Sequence, residues 1–182
     1  MIKNSLYIFL FLFSISTVFS QENSNFVSSD IDNFWIAFDK ITATKDTVQQ
    51  YRYINTYIEN GTPGLKAIMQ ARSYSAKSFL DAINNYPLFW ASIRGNTLKS
   101  KGLAQEIEKD VQKVKNIYPD LKPAKIYFSI GALRTGGTTL DGMVLIGSEI
   151  AMADKNTVTT EFPVSFSHLR PYFNTNPIEH IG

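Results

Sequence analysis

From Ser29 to about Tyr118 apolar residues recur at helical spacing, and the stretch reads as a succession of amphipathic helices. Ile31, Phe34, Trp35, Phe38 and Ile41 fall on one face of a first helix, with Ser29 or Asp30 placed to cap it. A second helix is predicted from Asp46 to Glu59, with Val48, Tyr51, Ile54 and Ile58 turned inward and Gly61 as its stop. Thr62 and Pro63 then supply a hydroxyl cap followed by proline at the first helical position, opening a helix that carries Leu65, Ile68 and Met69. Further helices are expected over Ser75–Asn85, Pro87–Ser100 and Leu103–Tyr118. In the last of these Leu103, Ile107, Val111, Val114 and Ile117 form one apolar face opposite a solvated one.

The period changes after Pro119 and Pro123. Lys125 to Ile130 (KIYFSI) reads as a strand, rich in β-branched and aromatic residues, and Met143 to Ile146 (MVLI) as a second. Between them Gly131 to Gly142 is expected to be a connection. Glu149 to Ala153 is open between a helical turn and a strand, and Asp154 to Gly182 is punctuated by Pro163, Pro171 and Pro177. The pattern predicts an α+β fold: a helical array over 21–118, then a small sheet over 119–182. Two strands joined by a long loop are marginal alone, so the sheet is expected to be incomplete at Gly182. The alternative is a hairpin packed on helices with a short native tail.

The first twenty residues follow a different logic. Lys3 precedes an apolar run from Leu6 to Ile15, and Val18 and Ser20 occupy the −3 and −1 positions before Gln21. This is the layout of a cleavable secretory signal, too short for the roughly 20 apolar residues of a spanning helix. The chain is therefore expected to be exported, to the periplasm, the cell surface or the medium. It contains no cysteine, which excludes disulfides, thiolate ligands and lipid attachment through cysteine. Removing the signal leaves 162 residues, enough for one domain with a core, and 17 Lys and Arg against 16 Asp and Glu, a charge of +1. That balance, with its basic residues scattered, argues against nucleic acid as a partner. No later stretch has transmembrane length.

Complete catalytic sets are absent from the residues. Asn60-Gly61-Thr62 fits a glycosylation sequon but stands where a helix stop and the next cap are required. The stretch Gly131 to Thr138 has the outline of a phosphate loop, yet Gly137 occupies the place of its lysine. His168 has no acidic neighbour one helical turn away, and only Ile181 and Gly182 follow His180, so neither belongs to a His-Glu-x-x-His helix. No Gly-x-Ser-x-Gly elbow occurs. Glu149, Asp154 and Glu161 cannot be paired from sequence.

The segment from Pro119 onward carries more than its composition. Lys122 to Gly131 (KPAKIYFSIG), Thr135 to Thr139 (TGGTT), Asp141-Gly142 and Met143 to Ile150 (MVLIGSEI) together resemble a family of exported bacterial zinc metallopeptidase-like proteins. These are related to predicted zinc-dependent proteases and to the gliding-motility lipoprotein type. In that family a helical region, a strand, a Gly-Gly-Thr loop and a further strand lead through an Asn-Pro-like segment to a His-Glu-x-x-His helix. Here Asn176 to Ile181 resembles that approach. The resemblance implies a zincin-like N-terminal portion, with zinc in a full-length version and no metal or catalytic residue transferable to this chain. It also implies that Gly136, Gly137, Met143, Val144, Leu145, Ile146 and Gly147 lie along a cleft rim offered to an extended peptide. An ordinary hairpin with a flexible loop is the competing reading, and a non-enzymatic exported helical module that binds a partner or an envelope component is the competing function.

Overall fold

The computed structural model describes residues 25–173. The expected signal segment and the Asn176 to Ile181 approach lie outside them. The chain is α+β. A two-residue strand, β1 (Phe26–Val27), leads into six helices: α1 (Ser29–Thr42), α2 (Thr47–Glu59), α3 (Pro63–Arg72), α4 (Ala76–Asn85), α5 (Pro87–Lys99) and α6 (Ala104–Ile117). Strands β2 (Lys125–Ser129), β3 (Gly137–Leu140) and β4 (Met143–Gly147) follow, then the short helix α7 (Ser148–Ala151) and a 3-10 segment over Val164–Phe173.

Local chemistry sets most of these boundaries. Asp46 caps α2 by accepting from the backbone N–H groups of Val48 and Gln49. Thr62 caps α3 through Leu65 N, with Pro63 at the first turn, and Ser75 with Ser78 forms a capping box on α4. Glu161 reaches across the fold to accept from Phe89 N at 2.9 Å, at the start of α5. The cap expected for α1 takes another role. Asp30 is fully buried one residue into the helix and accepts from Thr62 N (2.9 Å), Thr62 Oγ1 (2.6 Å) and Ser129 Oγ (2.8 Å). One carboxylate thus joins α1, the α2–α3 turn and the end of β2.

The sheet has the order β1-β2-β4-β3. Strands β1, β2 and β4 run parallel, and β3 lies antiparallel to β4 at the edge. Helices α1 and α3 lie on one face, where Tyr127, Ser129 and Leu145 turn inward. A Cβ at Gly64 would run into the Tyr127 ring, so glycine is what lets α3 approach β2 this closely. One hydrophobic core spans both regions of the sequence, from Ile31 to Phe173. Its centre is aromatic. Phe34 meets Trp35, Tyr57 and Trp90 at ring-centroid distances of 5.1–5.5 Å, and the two indole N–H groups donate to Thr97 Oγ1 and Ala82 O.

Two expectations are corrected, and a third, the apolar stripe of the last long helix, is met but left largely uncovered. Val48 is exposed, while Gln50, Ile54 and Tyr57 are buried in α2, because Gln50 turns in to donate to the carbonyls of Ile41 and Thr44. The connection between the predicted strands contains β3, which forms a hairpin with β4. Its two turn residues, Asp141 and Gly142, both have positive φ (49° and 75°), the backbone that a tight hairpin of this hand requires. Finally, α6 buries none of its residues; Val111, Val114 and Ile117 are 41%, 49% and 86% exposed. Its apolar stripe exists but remains largely uncovered among the described residues.

Candidate functional site

The resemblance points to the connection from β2 to β3 and to β4. Ile130 follows β2, and its carbonyl accepts from the buried Tyr57 hydroxyl at 2.9 Å. The chain then turns under Glu149, whose carboxyl accepts from Gly131 N (2.9 Å) and Leu133 N (3.2 Å). Leu133 adopts a left-handed backbone (φ 62°) although it is not glycine, a local strain these contacts hold in place. Arg134 N donates to the Tyr74 hydroxyl at 3.2 Å, and the Arg134 guanidinium donates to Arg72 O at 3.1 Å. Arg72 in turn donates to Thr135 Oγ1 at 3.3 Å. Thr135 Oγ1 donates to Gly137 O (2.7 Å) and accepts from Gly137 N (3.2 Å), which aims the chain into β3.

Glu149 is the chemically distinctive group here. It is fully buried, and that burial pushes its carboxyl from 4.5 up to about 7. N–H groups of Gly131, Glu149 and Leu133 pull the other way and are outweighed. Burial also raises the Tyr57 and Tyr74 hydroxyls, with Glu149 adding to both effects, so each stays protonated in neutral solution. The loop is thus fixed from beneath by a carboxyl poised near neutrality and by two phenols.

Gly136 O accepts from Gly147 N at 3.1 Å, and Gly137 opens β3. Met143 to Gly147 form β4, which is paired with β2 on one side and β3 on the other. Its backbone therefore cannot receive a peptide as the rim of a cleft; this corrects the expectation. One edge of the sheet is β3, which begins at Gly137, and its side away from β4 pairs with no strand among the described residues; the other edge is the two-residue β1. Val144 and Ile146 line an apolar groove of about 270 Å³ beneath α6, with Ile107, Val111, Val114 and Ile126.

Among the described residues no group of three or more His, Cys, Asp or Glu is arranged to hold a metal ion. His168 is exposed, with Nδ1 3.0 Å from Ser165 O, and His180 lies outside the described residues. The three acidic residues that sequence could not pair each serve backbone: Glu149 the loop, Asp154 the N–H of Asn156, and Glu161 that of Phe89. Sequence reasoning missed Asp30, Tyr57, Arg72 and Tyr74 as supports of this region. Asp30 carried a signal that pointed elsewhere, to a cap; the tyrosines sat in helical or turn positions with nothing to mark their long-range partners. No family model, no curated protein and no solved structure matches the chain. Among the described residues no helix is long and apolar enough to cross a membrane.

Proposed function

We propose that this chain is the front portion of an exported zinc-peptidase-like protein, whose metal ligands and catalytic glutamate are encoded beyond Gly182. The observation that carries the reading is the placement of the resembling segments. KIYFS forms β2, the Gly136-Gly137 pair turns into an antiparallel edge strand, and MVLIG forms the strand beside it. An open antiparallel edge offers backbone N–H and C=O groups to an extended peptide, which adds as a further strand. The peptide contact accordingly belongs to β3 rather than to β4. Zinc in a peptidase supplies an activated water and polarises the scissile carbonyl. The described residues do not fit such a site, and no catalytic step is assigned to them.

Extending the reading frame is the test. The proposal expects a His-Glu-x-x-His shortly after codon 182 and chelator-sensitive peptide hydrolysis by the longer product. Peptide binding by that product should be lost on Thr139→Pro, which places a proline in the edge strand. A stop codon at that point, or hydrolysis indifferent to chelator, refutes it.

The uncovered stripe on α6 favours a second reading, an exported non-enzymatic module that binds a partner through its helices. In the peptidase reading the same stripe is covered by later chain. Loss of Ile117 exposure in the longer product supports the first reading; unchanged exposure supports the second.

A further inference from the structure

We propose that the cleft between α1 and α2 is a binding site for a small anionic ligand that carries hydroxyls beside its charge, of the acidic-sugar class. The cleft is open to solvent and holds about 460 Å³, within the range of small-molecule sites. Asn33, Ile36 and Lys40 line it from α1, Arg52, Tyr53 and Thr56 from α2, and Asn60 from the C-cap of α2, with the buried Ala37 and Tyr57 beneath. The spacing explains the construction. Positions 33, 37 and 40 lie on one face of α1, and 52, 53, 56 and 60 on one face of α2. Two amphipathic helices usually close such a seam with apolar side chains; here the outer rows are polar apart from the exposed Ile36.

Charge identifies the ligand class. Lys40 and Arg52 are the charged residues lining the cleft, and no carboxylate lines it. Lys40 and Arg52 enter no ion pair among the described residues, as is also true of Lys45, Lys66 and Lys109; what sets these two apart is that they line one cleft together. Two like charges are thus held on one concave surface with no counter-charge, and an anion relieves their repulsion. Lys40 Nζ lies 5.8 Å from the centre of the Tyr53 ring, which keeps it over the cleft.

The remaining lining matches hydroxyls and a ring. Thr56 Oγ1 donates to Arg52 O at 2.9 Å, so its lone pairs stay available as acceptors. The Asn33 and Asn60 side-chain amides have no hydrogen-bond partner among the described residues, and each offers both donor and acceptor. Tyr53 is half-buried and supplies an aromatic wall. The site does not touch the β3 edge and is independent of the peptidase reading.

The test is calorimetric titration of the chain with glucuronate, glucose 6-phosphate, glucose and inorganic phosphate. Glucuronate or glucose 6-phosphate should saturate one site at millimolar concentration or below, with glucose and phosphate each about tenfold weaker or worse. Lys40→Met and Arg52→Met should each weaken the acidic sugar about tenfold, and Lys77→Met should leave it unchanged. Added salt should weaken binding further. The inference is overturned if neither acidic sugar saturates, if inorganic phosphate binds as tightly as glucose 6-phosphate, or if both cleft variants keep wild-type affinity while folding normally.

Discussion

Replacing Glu149 with glutamine should remove a pH dependence that the fold itself creates. Glu149 is raised by burial from 4.5 to about 7, so the folded chain holds its proton over a range where the unfolded chain has released it. A carboxyl raised in this way stabilises the fold fully below about pH 4.5, and the contribution is lost as pH rises towards 7. Moving a carboxyl across that interval corresponds to about 3 kcal/mol. The Tyr57 and Tyr74 hydroxyls face the same space but titrate above this window. Glu149→Gln stays neutral throughout. It also sets an amide nitrogen against one of the N–H groups of Gly131 and Leu133, a pH-independent cost of about 1–3 kcal/mol. Urea denaturation of both proteins at half-unit steps from pH 4.5 to 8 isolates the effect, because exposed groups cancel in the difference. The stability advantage of wild type over Glu149→Gln should shrink by about 3 kcal/mol across the window. A constant difference refutes the argument. A growing one shows that the N–H donors outweigh burial and that the carboxyl is ionised in the fold.

Asp30→Ala leaves Thr62 N and the hydroxyls of Thr62 and Ser129 without their shared acceptor, and should cost about 3–5 kcal/mol by chemical denaturation. Gly64→Ala should cost about 3 kcal/mol or more by chemical denaturation, since the new methyl meets the Cβ of Tyr127 and the base of its ring, which cannot swing aside without moving β2. Arg94→Met breaks a pair with Asp39 that is exposed on both sides and should change stability by less than about 1 kcal/mol. Ile117→Ser, at an 86% exposed position, should leave stability within about 0.5 kcal/mol while lowering the binding of a hydrophobic dye.

The helices were legible because their signals are local. Asp46, the Thr62-Pro63 pair and Ser75 each act within one turn, and the inward face of α1 repeats with the helical period. The two apolar strands were legible from their composition. What escaped was decided at a distance. β3 is Gly-Thr-Thr-Leu, a sequence with a weak core face, and it becomes a strand because β4 pairs with it across the Asp141-Gly142 turn. That pairing moved the open edge from β4 to β3. Val48 fits the helical period as well as Ile54 does, yet Gln50 took the inward position by finding two carbonyls to bond. Glu149 stood within a legible motif, but its burial and partners depend on a loop folded back from β2.

The account stands or falls on where the metal ligands are encoded, and metal analysis of two purified products measures this directly. The product of the extended reading frame should carry about one zinc per chain, and the 182-residue chain should carry almost none. One zinc held by the 182-residue chain, or none held by the longer product, contradicts the account.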